Sequence, residues 1–362
     1  MQRTHKEERI AIIAPANLKY MPYAQNYLSQ LGALGSRLHV LAWDKRGLDE
    51  ADATWAFHFK AADSNRKRMF LGHWLFARKC RAYIRRHKIT KLIILTAAPA
   101  FFLGTGFLKK FTGKYILDIR DDSPLVRRFP ETFRKICVMA TQVVTSSPLF
   151  NEWIPADTLM CHNADITQIK NRQQDLPRQK CNHPISLVFA GMLNEGKINF
   201  DMIRHLGRDD RFRFAFIGSE CSGKEAIRQF SQEQGLENII FQGTYSKDEI
   251  YDIYRENADL VNIIRTKSTV NRNALPNKLY DAVLAGVPVV VFDHNEAVGN
   301  YVRRYHLGLV LEEKMETLGD TIVQEMASFD YSTYAAGRIA FLKKIEADME
   351  QFVQLLDRFA AI

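Results

Sequence analysis

Short apolar, β-branched runs alternate along the chain with longer segments whose apolar positions recur every three to four residues. Ile10–Ala14, Leu38–Trp43, Leu92–Thr96, Tyr115–Ile119 and Gln142–Thr145 predict strands apolar on both faces, the signature of a parallel sheet. Pro22–Leu34, Arg66–His87 and Ala100–Phe111 carry helical spacing between them. The alternation pauses at Gln168–Pro184, a polar stretch with two prolines that reads as a linker. It resumes with strands at Ile185–Ala190, Phe212–Gly218, Ile239–Gly243, Asp259–Ile264 and Val287–Phe292. From about Thr317 to Ile362 the pattern is helical, with no strand signal.

Strands alternating with helices build βαβ units and a doubly wound sheet. The fold class expected is therefore α/β, with two tandem Rossmann-like domains, a cleft between them and a helical C-terminal tail. The boundaries predicted are 1–167 for the first domain, 168–184 for the linker and 185–345 for the second domain. The helix 346–362 is expected to return toward the first domain. A length of 362 residues agrees with two domains.

Charge changes the picture more than composition does. The net charge is +9, but cut near Asn182 it divides into +15 for the first half and −6 for the second. A basic half points to a polyanionic partner: nucleic acid, anionic lipid or a phosphorylated acceptor. Residues 66–88 hold nine Lys and Arg and no acid, together with Phe70, Trp74, Phe76 and Tyr83. On one helix this makes an apolar stripe with cationic flanks, as at anionic membrane surfaces. We take the stripe as mostly core and the excess charge as the informative part, because any helix on a sheet needs an apolar stripe. No nucleic-acid motif accompanies the charge, so nucleic acid is not expected. No apolar stretch is long enough to span a bilayer, and the N-terminus lacks the layout of a secretory signal. Five scattered cysteines without a C-x-x-C pair fit a reducing cytoplasm.

The richest candidate for chemistry is Asn271–Pro288. Pro276 suits a first helical turn, and Gly286 with Pro288 ends the helix before the next strand. Backbone amides around Ala274–Asn277 would then face a crevice and could hold a diphosphate, with the Lys278 ammonium beside them. Asp281, one turn further in, could accept hydrogen bonds from two vicinal hydroxyls such as those of a ribose. Equally, Asp281 could complement the helix dipole and Lys278 be a solvated surface charge. In the first half, Asp118, Arg120 and Asp121 end a predicted strand and are acceptor-side candidates; a structural Asp–Arg network is the other reading. No D-x-D triplet or His/Cys/carboxylate cluster suggests a metal, and no metal or other cofactor is expected.

Leu275–Val290 resembles the nucleotide-sugar helix of family 4 glycosyltransferases of the GT-B fold. Phe189–Met192, Phe216–Gly218, Ile240–Gly243 with the helix Ser246–Tyr254, and Ala258–Val261 are similar to the family's neighbouring segments in order and spacing. Arg37–Gly47, Tyr115–Pro124, Ser146 and Cys161–Asp165 resemble its first-domain segments. The resemblance implies sugar transfer with retention from a nucleotide-diphosphate sugar, UDP-linked on family frequency, without a metal. It places Asp281 on the donor ribose, and Gly191, Gly218, Gly243, Thr244, Leu275, Pro276, Asn277 and Lys278 around the donor. Asn273 stands where the family usually has a carboxylate at the donor sugar. Lys197 suits the family's diphosphate lysine, whereas the arginine before it is replaced by Met192 or Leu193; Arg265 or Lys278 would supply that charge. The acceptor implied is a lipid-linked glycan of a capsule or lipopolysaccharide type, met by a protein peripheral to the inner face of the plasma membrane. A non-hydrolysing nucleotide-sugar epimerase, or an inactive nucleotide-sugar-binding relative, is the alternative.

Overall fold

A computed structural model of the chain describes residues 8–62, 65–164, 166–193 and 196–361. Asp165 and the N-terminal residues 1–7 invoked above lie outside the described residues. The chain forms two compact units, Met1–Asn163 with Ala347–Ile362, and Ala164–Glu346.

The first unit is built on a seven-stranded parallel sheet of β1 (Ile10–Ala14), β2 (Leu38–Asp44), β3 (Trp55–His58), β4 (Lys91–Leu95), β5 (Tyr115–Ile119), β6 (Gln142–Thr145) and β7 (Thr158–Met160). Its order is β3-β2-β1-β4-β5-β6-β7. Register follows apolar pairing: Ile12 lies between Val40 and Ile93, and Ile94 pairs Leu117. The second unit has β8 (Ile185–Ala190), β9 (Phe212–Ile217), β10 (Ile239–Gln242), β11 (Leu260–Asn262), β12 (Val289–Phe292) and β13 (Gly308–Leu311), in the order β10-β9-β8-β11-β12-β13. In both sheets the order reverses direction beside the first strand of the unit. Such a switch point opens a crevice at the carboxyl ends of the strands.

Three strands lie beyond the sequence expectation: β3, β7 and β13. Each is the last strand at one side of its sheet and is only partly buried, so it lacks the continuous apolar run by which the central strands are recognised. The helix expected over Ala100–Phe111 is instead divided into Ala97–Leu103 and Thr105–Leu108. Gly104 breaks it with φ of 79°, a conformation open to glycine at little cost. The expected linker also begins later, since Ile166–Arg172 is helical. The helix expected at Ser246–Tyr254 runs over Ile250–Asn257.

The long helix Tyr331–Ala361 contributes to both units. Its later residues pack in the first: Phe352 meets Tyr27 edge-on at 4.9 Å, Lys91 donates to the Phe359 carbonyl at 2.6 Å, and buried His162 lies 3.0 Å from Asp348. In the second unit, buried Arg338 on this helix donates to the carbonyls of Val283 at 2.7 Å, Arg172 at 2.8 Å and Asp175 at 3.0 Å. A cation at a helix C-terminus complements the macrodipole as well as the orphan carbonyls. Arg338 thereby anchors the helix Asn277–Ala285, whose opposite end faces the second unit's switch point.

The helix Arg66–Arg86 corrects one expectation. Phe76, Ala77, Cys80 and Ile84 are core, but Phe70, Leu71 and Trp74 are 61%, 47% and 42% exposed. The reason is geometric. Gly72, Phe76, Ala77, Cys80 and Ile84 form the sheet-facing stripe, with Trp43 so close under Gly72 that a Cβ would come within 2.3 Å of the indole. Positions 70, 71 and 74 fall off that stripe by helical spacing. Among the described residues no helix is long and apolar enough to cross a membrane.

Candidate functional site

The crevice of the second unit lies between the carboxyl ends of β8 and β11. It holds a cavity of about 130 Å³ lined by Phe189, Met192, Ile263, Ile264, Arg265, Pro276 and Lys278. The helix Asn277–Ala285 starts here. Pro276 occupies the N-cap without a side-chain hydrogen bond, so no cap competes for the amides of the first turn. Gly286 closes the other end in the left-handed conformation, as expected.

Lys278 reaches over the ring of Phe189, its Nζ 4.2 Å from the ring centroid. Gly191 lies beside it with φ of 118°, a conformation that favours glycine; a Cβ there would touch Nζ at 3.5 Å, an ordinary contact. Gly191 in turn packs against Gly218, which accepts no side chain. Gly218 has φ of 142°, and a Cβ would fall 2.4 Å from the Gly191 carbonyl oxygen. The Gly218 amide donates to the Gly243 carbonyl at 3.0 Å, so the three strand-end glycines form one continuous floor. Thr244 beside it is exposed.

Asp281 follows one turn after Lys278 on the same helix. It keeps some exposed surface, yet surrounding protein removes most of its hydration and raises its pKa from 3.8 to about 6; Lys247 and Lys278 oppose the rise. Tyr245 is pushed up to about 12 by burial and by the Asp281 charge. A carboxylate short of hydrogen-bond donors, with two ammonium groups in its field, is poised to accept hydroxyl donors from a ligand.

The remaining sequence candidates divide. Arg265 lines the same cavity as Lys278, and its carbonyl accepts from His294 Nε2 at 2.8 Å. Leu275 is buried and Asn277 exposed. Asn273 is buried at the end of the short helix Thr269–Asn273, where its Oδ1 accepts from Arg272 Nη1 at 3.2 Å. Of the two residues standing at the family's arginine position, Met192 is exposed to the cavity and Leu193 is buried. Lys197 does not line this cavity. It is paired with Asp201 at 2.8 Å and lines a separate one of about 460 Å³ with Gly196, Ser222 and Gly223. Sequence reading missed Phe189, Tyr245 and Lys247 as neighbours of Lys278 and Asp281; their only signal was their place two to four residues from a strand-end glycine.

In the first unit, Asp118 is fully buried. Its carboxylate accepts from Arg120 Nε at 2.6 Å, Arg120 Nη2 at 2.7 Å and Tyr27 Oη at 2.7 Å. Arg120 continues to the Cys161 carbonyl at 2.7 Å and Asn163 Oδ1 at 2.9 Å. Of the two readings open for this pair, the geometry is that of the internal network: Asp118 is fully buried and both its oxygens are engaged within the unit. Asp121, next along the chain, is exposed. Among the described residues, no three His, Cys, Asp or Glu side chains are grouped to hold a metal ion.

Residues 185–327 match the family of glycosyl transferases group 1. The second unit carries a group 1 glycosyl transferase domain. The whole chain also resembles solved structures. A glycosyltransferase from Rickettsia africae ESF-5 is 12% identical, with 98% of this chain and 99% of that one covered and a TM-score of 0.69. Anabaena Alr3699/HepE, solved with UDP and glucose, is 15% identical over 97% and 100%, with a TM-score of 0.63. The lipopolysaccharide outer core galactosyltransferase WaaB is 13% identical over 96% and 99%, with a TM-score of 0.64. No curated protein matches the chain by sequence. At these identities the likeness establishes the fold, that of the GT-B glycosyltransferases. The group 1 match places the Lys278 cavity, Asp281 and the glycine floor inside the matched domain.

Proposed function

We propose that the protein transfers a sugar, with retention, from a UDP-linked donor to a membrane-linked glycan acceptor in surface polysaccharide synthesis. The observation that carries the reading is the junction of a helix N-terminus, Lys278 and Arg265 with Asp281 one turn away. Two cations and aligned amides suit a diphosphate, and the carboxylate suits the two hydroxyls of a ribose. The structural neighbours agree in kind: one was solved with UDP and glucose, and another is an outer core galactosyltransferase.

In the reaction the bond between the anomeric carbon and the diphosphate oxygen breaks, and its electron pair leaves with the nucleotide. The acceptor hydroxyl oxygen forms the new bond, and its proton passes to the leaving phosphate. Lys278, Arg265 and the first-turn amides hold the developing charge in place before it forms, which is where fixed dipoles contribute most. Asn273 stands on the sugar side as a neutral hydrogen-bonding group, and Asp121 is the exposed acceptor-side carboxylate.

A thermal-shift panel of UDP-, GDP-, ADP- and dTDP-sugars tests the donor assignment, because a ligand held by the native state raises its melting temperature. UDP-sugars are expected to give the largest shift; no shift from any nucleotide would remove the reading. Release of an altered nucleotide sugar without acceptor would establish the epimerase instead. Lys278→Ala is expected to weaken UDP binding about tenfold or more, in line with a lost charge-assisted hydrogen bond. Isothermal titration checks it, and unchanged affinity for both Lys278→Ala and Lys197→Ala would place the diphosphate elsewhere.

The exposed face of the helix Arg66–Arg86 supports the membrane part of the proposal. Phe70, Leu71 and Trp74 stand among Lys67, Arg78 and Arg85, and the Arg78 guanidinium lies 5.8 Å from the Trp74 ring centroid. Apolar anchors with cationic neighbours bind the anionic interface of a bilayer. Flotation with phosphatidylglycerol-containing vesicles is expected to carry the protein up, and Phe70→Ser/Trp74→Ser to abolish this. Absence from anionic and neutral vesicles alike would refute the membrane association.

A further inference from the structure

The first unit holds a larger cavity that none of the donor chemistry uses. It measures about 910 Å³ and is lined by Ala16, Asn17 and Tyr20 after β1, Lys45 and Arg46 after β2, and Lys60, Ala61, Ala62 and Arg68 after β3. Four cations line it, and no carboxylate is among its described lining residues. Arg46, Lys60 and Arg68 form no ion pair with any described residue. The Arg46 guanidinium instead lies 5.1 Å from the centroid of the Tyr20 ring, which is half exposed and presents a flat face to the space.

The loop that carries Lys45 and Arg46 is braced from within. Buried Asp44 accepts from Asn17 Nδ2 at 2.6 Å, from the Gly47 amide at 2.6 Å, and from the amides of Arg46, Leu48 and Asp49, each at 3.1 Å. Burial alone would raise its pKa. These donors outweigh that and hold the carboxyl below the usual range, so it is a fixed anion at working pH. Asn17 Oδ1 in turn accepts from the amides of Lys45 at 3.0 Å and Arg46 at 3.2 Å. The Glu50 carboxylate takes the amides of Leu18 at 2.7 Å and Lys19 at 2.6 Å. Asp44 and Glu50, the two described acids nearest the loop's base, are thus engaged with backbone amides. A concavity of this size lined by four cationic residues selects a ligand with clustered negative charge.

We propose that this cavity recognises the phosphate or diphosphate of a phosphorylated acceptor. The inference rests on the glycosyl-transfer reading for the word acceptor only; the anion site itself follows from the cavity. The group 1 family match begins at residue 185, so this cavity lies outside the matched segment. Its cations are features of this chain's own sequence.

Titration of the full-length protein with inorganic pyrophosphate, followed calorimetrically, tests it in three arms. Wild type is expected to show two sites. Arg46→Ala/Lys60→Ala, both at exposed or half-exposed positions, should lose one of them by tenfold or more and keep UDP affinity unchanged. Lys278→Ala should lose the other together with UDP affinity. If the Arg46/Lys60 variant, with an unchanged melting temperature, binds pyrophosphate as wild type does, the proposal is overturned. Failure of UDP to bind wild type would remove the donor reading and leave the pyrophosphate arms legible. Geranyl diphosphate and a hexose phosphate then separate a lipid-borne from a sugar-borne group: tighter binding of either, lost in the Arg46/Lys60 variant, supports the site and names its source. Binding of neither overturns the acceptor role.

Discussion

Asp281→Asn is expected to stabilise the protein at pH 7.5 while abolishing the thermal shift given by UDP. Asparagine keeps the shape of the side chain and removes its charge. The native carboxyl titrates at about 6 against 3.8 in the unfolded chain, so the native state holds its proton more tightly. Between these values the unfolded chain releases a proton that the native protein retains, and stability falls as pH rises. Above about pH 6 the penalty is complete; below about pH 3.8 it is absent. Each tenfold gain in proton affinity corresponds to about 1.4 kcal/mol. Allowing for the water that still reaches Asp281, the gain for asparagine is about 1–2 kcal/mol at pH 7.5, or a few degrees in melting temperature. The gain should fade on titration toward pH 4. A residue tuned against stability for the sake of a ligand must show both effects together. A melting temperature lowered by the substitution at pH 7.5, or a UDP shift that persists, would end the ribose assignment.

The second large effect is expected at Asp118→Ala, which strands the Arg120 guanidinium. Both partners are buried, and the Asp118 charge raises the Arg120 pKa well above its usual value against the opposing effect of burial. Removing one member of a buried pair typically costs about 3–5 kcal/mol because the other charge is left uncompensated. For a unit of this size the melting temperature should fall on the order of 10 °C. Asp118→Leu/Arg120→Met should recover most of that loss, since an apolar pair of similar volume avoids the desolvation cost altogether. Scanning calorimetry on the two variants separates the readings. A scaffold pair predicts this rescue together with retained UDP binding. A single variant as stable as wild type would show that the network does not hold the end of β5.

Particular residues show how the fold was legible. Central strands such as β1, β4, β5 and β12 are buried on both faces, so their composition alone carried the period. β3, β7 and β13 are half exposed at sheet edges, where pairing with a neighbour rather than composition makes the strand. Pro276 and Gly286 marked the ends of the site helix because their chemistry is local. The partners of that helix were not legible. Arg338, Phe189 and Tyr245 reach Leu284, Lys278 and Asp281 across 54, 89 and 36 positions of chain, and no local pattern encodes such a meeting.

The sequence by itself determined two α/β units, the cationic character of the first and the helix that begins at Asn277, because each depends on residues close together along the chain. Tertiary structure alone decided which charges are available. It consumed Asp118 and Asp44 in internal networks, turned Lys197 to Asp201, and brought Arg265 beside Lys278. It also left Arg46, Lys60 and Arg68 facing one open space. A charge's use depends on what neutralises it and on whether the pair is buried; Asp201 and Arg120 lie close along the chain to the charges they pair, but burial is set by segments packed from elsewhere in the sequence.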